Sequence, residues 1–104
     1  MMLIDQVKRK LNITWSDEDT EGRLNDIINS AKVKLSFKLG ISDAEFDYSA
    51  AGQENMLFLA LCLYEWNHAA SDFDHNYAND IAQCRAYHEV QQYLSALEGD
   101  SDGE

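Results

Sequence analysis

The chain has 104 residues, room for one domain and too little for two with separate cores. Hydrophobic residues make up 45% and aromatics 11%, which excludes a disordered composition, and the lack of proline favours helices over a loop-rich β fold. The net charge of −11 is uneven, because Arg85 alone faces ten acids in residues 51–104, and so acidic a half argues against wrapping nucleic acid or docking on anionic lipid.

The first helix is expected over roughly residues 2–11. Leu3, Ile4, Val7 and Leu11 fall on one face, and Lys8, Arg9 and Lys10 cover the other. Asn12 to Trp15 breaks the pattern. The second helix is expected from about residue 17 to Leu39, with Ser16 as its N-cap and Asp17, Glu18 and Asp19 in the favourable first turn. Leu24, Ile27, Ile28, Ala31 and Leu35 make its core stripe, Val33 and Phe37 add a second apolar strip, and Gly40 is the stop. Gly22 weakens the start of this segment.

Ser42 and Glu45 have capping-box spacing, which predicts a short helical turn at 43–46. The third helix is expected over about 52–70. Its centre, MLFLALCLY, is apolar on every side, so it is either the central core element or is covered by another subunit. At nine residues this run is too short to span a bilayer, so no membrane is implied. Residues 71–76, SDFDHN, read as a polar turn. The fourth helix follows from about Tyr77 to Leu97, with Ile81, Cys84, Tyr87, Val90, Leu94 and Leu97 on one face. EGDSDGE, residues 98–104, reads as a flexible acidic tail. The expected fold is all-α, a compact bundle of about four helices making one domain over residues 1–97.

No catalytic constellation stands out. The five glycines are scattered, no G-x-S-x-G elbow occurs, and Cys62 and Cys84 sit in apolar helical patterns that suit buried thiols. A cytosolic, reducing site of synthesis fits this cysteine usage. His68, Asp72, Asp74 and His75 supply metal-ligating types, but their spacing matches no zinc motif and a polar helix end accounts for them. The runs starting at Asp17 and Asp72 resemble calcium loops and lack the closing glutamate, since Ile28 and Gln83 stand in its place. No catalytic residue, cofactor or metal is therefore assigned. Aromatics near turns point either to an interface or to lids on the core. The candidate interface residues are Trp15, Val33, Phe37, Phe73 and Tyr77. The candidate acidic channel or partner surface is Asp72, Asp74, Asp80 and Glu89.

The stretch from Val7 to Ile41 resembles the opening of small head–tail connector proteins of tailed bacteriophages. A short helix ends at Leu11 and Ile13, an acidic turn spans Asp17 to Glu21, and a long helix carries Ile28 and Ala31 and closes at Gly40. GQENMLFLALCLYEWNHA and FDHNYANDIAQCRAYHEV also look like the Gram-positive branch of that family. The resemblance runs from about Leu3 to Val90. It implies a structural virion protein, not an enzyme, that assembles with itself into a ring, normally dodecameric, beneath the portal protein. Such a ring extends the DNA channel, lets DNA pass without sequence-specific binding, and receives the next head-completion, stopper or tail protein. The expected location is the virion, after synthesis in the host cytoplasm. Charge asymmetry motivates a rival reading, a small acidic protein that mimics DNA and inhibits a nucleic-acid-binding partner.

Overall fold

A computed structural model of the chain describes residues 2–43 and 45–102, with side chains described through Leu97. The chain is all-α. The described helices are α1 (Leu3–Lys10), α2 (Glu18–Leu39), α3 (Gln53–Trp66), α4 (Ala70–Asn76) and α5 (Ala78–Asp102).

Three helices end through the same local chemistry. Asn12, Gly40 and His68 adopt left-handed backbone angles, φ 61°, 70° and 58°. In each case the amide of the following residue donates back across the last turn: Ile13 to the Lys8 carbonyl at 2.8 Å, Ile41 to Ser36 at 2.9 Å, and Ala69 to Tyr64 at 2.8 Å. These bonds satisfy carbonyls that the helix end would leave open. Gly40 is the stop that the sequence predicts. His68 ends α3 earlier than the expected residue 70.

The start of α2 also differs from expectation. Asp17, not Ser16, is the N-cap, and its Oδ1 accepts from the Thr20 amide at 2.8 Å. That bond holds the Asp17 carboxyl below the ordinary range. Near the short helical turn expected at 43–46, the Phe46 amide donates to the Asp43 carbonyl, while the Asp43 side chain accepts from the Glu45 amide. The side chain that takes a backbone amide there is Asp43, in place of the expected Ser42.

The core is built around α3, which packs against all four other helices. Leu57, Phe58, Ala60, Leu61 and Cys62 are buried in it, so its all-round apolar centre is explained within one chain. Leu24, Ile28, Ala31, Leu35 and Leu39 of α2 close one side, and Val7 of α1 and Ile13 close another. Polar clasps hold the layers together. Arg23 lies over the Trp66 ring at 4.0 Å and donates to the Trp66 carbonyl at 2.7 Å, which pins the end of α3 to α2. Asn55 donates to both Gln6 Oε1 and the Tyr48 carbonyl at 2.7 Å, joining α1, α3 and the loop between α2 and α3.

The segment 71–76, read from sequence as a turn, lies within helix α4. Its polar composition hides one buried anchor. Phe73 is 0% exposed and stacks on Tyr77 at 5.1 Å, with Tyr64 edge-on to both rings at 5.9 Å.

α5 is two-sided. Its inner face carries Ile81, Cys84, Arg85, His88 and Gln92. Arg85 donates to the Lys38 carbonyl at 3.5 Å and Gln92 to the Gly40 carbonyl at 2.8 Å, so α5 docks by capping the end of α2. At 3.6 residues per turn, Tyr87, Val90, Tyr93, Leu94 and Leu97 fall on the opposite side. The sequence reading that put Ile81 and Cys84 on one face with Leu97 is thereby corrected. α5 runs on to Asp102, past the expected helix end at Leu97, so of the tail expected at 98–104 the backbone of 98–102 is helical, and residues 103 and 104 lie outside the described residues. The molecule measures 56 × 27 × 19 Å.

Candidate functional site

The surface features that the fold leaves unused are apolar. On α2 the core stripe and the Val33–Phe37 strip lie on opposite sides of the helix, because Val33 is out of phase with Leu24, Ala31 and Leu35 by about half a turn. Val33 is 73% and Phe37 82% exposed. They border a shallow groove of about 330 Å³ whose other wall is the loop carrying Ile41, Phe46 and Tyr48. Lys32 and Asp43 stand at its rim. A second exposed stripe is the outer face of α5, where Tyr87, Val90, Tyr93, Leu94 and Leu97 are all accessible. Single exposed hydrophobes are ordinary, whereas an apolar stripe left outward on a core-packed helix is a less common surface feature.

The other expected interface residues divide. Trp15, in the loop before α2, is 52% exposed, and its indole N–H donates to Thr20 Oγ1 at 3.2 Å. Phe73 is a core residue and Tyr77 is half-buried against it. Their place beside a polar segment reflects the α4 lid over the end of α3, so Phe73 is withdrawn from the interface and Tyr77 belongs with it in the lid.

The expected acidic surface is dispersed. Asp74 pairs with Lys38 at 2.5 Å and Glu89 with Arg85 at 3.1 Å. Asp80 and Glu89 are nine residues apart on α5 and point to opposite sides of it. Asp72 is exposed on α4. These four acids do not build one continuous face.

His68, Asp72, Asp74 and His75 do not converge either. His68 closes α3, with its Nε2 3.4 Å from Arg23 Nη2. The converging ligand types among the described residues are Glu54, Cys84 and His88, whose donor atoms all lie within 4.8 Å of one another. Sequence reading passed over them because thirty residues separate Glu54 from Cys84. The one available signal was Cys84 and His88 at i, i+4 on a single helix.

Neither thiol is an activated nucleophile. Burial pushes Cys62 up to about 12, and burial together with the neighbouring Glu54 carboxylate pushes Cys84 up to about 11. Burial also raises the Tyr48 phenol, with the Ser36 hydrogen bond acting against it. No described helix is long and apolar enough to cross a membrane. In comparisons with known proteins, no family model matches the chain, and no curated protein and no solved structure matches it.

Proposed function

We propose that the chain is a structural assembly subunit that repeats into a closed ring, in the manner of the head–tail connectors its sequence resembles. The observation that carries this reading is the pair of different apolar surfaces, the Val33–Phe37 groove and the outer stripe of α5, on a monomer whose core is already complete. Contact between one surface and a different one on the next copy is heterologous, and such contacts close into rings when the rotation permits. In this reading the ring docks beneath a portal protein in the virion, DNA passes through its centre, and the exposed end faces a stopper or tail protein. The chain's acidic balance favours passage of DNA over its retention.

The DNA-mimic alternative has less support. Asp17, Asp43 and Asp47 bond to nearby backbone amides, and Glu21, Glu65, Asp74 and Glu89 pair with cations. These seven carboxylates are engaged locally, which works against a rigid, regular, phosphate-like array.

Native mass spectrometry of the full chain across a concentration series tests the proposal. A discrete ring-sized species supports it and gives the copy number. A monomer at every concentration, both alone and with a portal protein, overturns it.

A further inference from the structure

The groups left unused by the assembly reading meet on the inner face of α5. Cys84 and His88 stand one helical turn apart there, and Glu54 comes from the first turn of α3. His88 Nε2 lies 2.9 Å from Glu54 Oε1, and the Cys84 Sγ stands within 4.8 Å of the donor atoms of both. Cys84 is 1% exposed, and the side chains of His88 and Glu54 are 14% and 22% exposed, so the cluster is shielded without being sealed.

We infer that Glu54, Cys84 and His88 form a binding site for one zinc-class divalent ion that clasps α3 to α5. A thiolate, an imidazole and a carboxylate together are a borderline-soft donor set, which suits zinc or cobalt and not calcium or magnesium. Bonds of about 2.0–2.3 Å in a tetrahedron place ligand atoms roughly 3.3–3.8 Å apart, so donors already within 4.8 Å need only small side-chain adjustments. Three protein ligands leave the fourth position to water. The surroundings also fit a metal site. Phe46 stands edge-on to the His88 ring at 5.7 Å and Tyr87 does so at 5.5 Å, which fixes the ring's plane and limits water. On binding, Cys84 loses its proton to solvent and the ion takes the place of the hydrogen bond that now joins His88 to Glu54.

The test is titration of chelator-treated, reduced full-length chain with cobalt(II) and zinc(II), followed by absorption spectroscopy and by thermal unfolding. The expected result is one ion per chain, a thiolate-to-cobalt charge-transfer band that zinc abolishes, and a raised melting temperature. Cys84→Ser should remove the band. Glu54→Gln and His88→Gln should each weaken binding by at least about 100-fold, beyond the loss produced by a residue that only orients a ligand. His75→Gln, on exposed α4, should change nothing. Circular dichroism shows whether each variant is folded, and Glu54→Gln, equal in size to the native residue, keeps the test decisive if Cys84→Ser unfolds. Lack of cobalt binding by the folded native chain overturns the inference, as does binding that survives both Cys84→Ser and Glu54→Gln.

Discussion

The hydroxyls of Tyr48 and Ser36 lie 2.7 Å apart. This bond fastens the loop between α2 and α3 to the flank of α2, while the Tyr48 ring stacks on Phe58 of α3 at 5.0 Å. The loop is thus held at both ends of one side chain, and it forms a wall of the apolar groove. Tyr48→Phe should keep the stacking and lose the bond, at about 0.5–1.5 kcal/mol. Tyr48→Ala should cost about 3–5 kcal/mol, as aromatic truncations in cores do. Urea unfolding of the two variants checks the split.

Phe37 and Phe73 give opposite predictions. Phe73→Ala removes a buried ring from the α4 lid and should cost about 3–5 kcal/mol. Phe37→Ala removes an exposed ring and should shift stability by no more than about 0.5 kcal/mol. If Phe37→Ala unfolds the monomer as readily as Phe73→Ala, the outward placement of the α2 strip is wrong.

Val33→Asp combined with Phe37→Asp probes assembly directly. Both sites are exposed, so the double variant should remain a folded monomer and lose the ring-sized species. The sedimentation coefficient and a thermal melt report the two properties separately. Unchanged assembly would remove this strip from the proposed contact, leaving α5 as the surface to test.

Glycine substitutions should have opposite signs. A methyl group at Gly22 meets nothing within 4 Å on the exposed side of α2, so Gly22→Ala should stabilise by about 0.5–1 kcal/mol. Gly40 has φ +70° and only ordinary contacts near an added methyl, so Gly40→Ala should destabilise by about 1–2 kcal/mol through backbone strain alone. Chemical denaturation midpoints measure both.

Alkaline pH should expose the buried thiol Cys62. Its folded value, about 12, is above the ordinary 9.0, so the stability linked to it is complete below pH 9. That stability is lost as pH rises through the window from 9 to about 12. Within this window the unfolding free energy should fall by about 1.4 kcal/mol per pH unit for this one thiol. Cys62→Ala should lower stability at neutral pH and flatten the alkaline slope. Denaturation curves at several pH values show whether it does.

Much of the fold was legible because apolar spacing and helix-stop chemistry act locally. The core stripe of α2, the stop at Gly40 and the central role of α3 all follow from neighbours within a few residues. α4 was hidden because Phe73 alone buries it and the residues around Phe73 are polar. The early end of α3 was hidden because His68 rarely takes the left-handed conformation that glycine takes easily. The two faces of α5 require knowing which side meets α2, since the apolar positions of a two-sided helix satisfy either choice. The Glu54, Cys84 and His88 cluster depends on packing between distant segments, which local patterns do not encode.

The capping of α2 by Arg85 and Gln92 makes α5 a pointer mounted on the body. Its twenty-five residues amount to about 37 Å of rod. Beyond Gln92 the helix runs on for about 15 Å to Asp102, and a tilt of about 10° at the mount sweeps that end through about 3 Å. Angular play at the root is therefore magnified at the tip. The stiffness of three contacts near the middle of the helix, His88 to Glu54, Arg85 to Lys38 and Gln92 to Gly40, sets how accurately its outer end can be aimed.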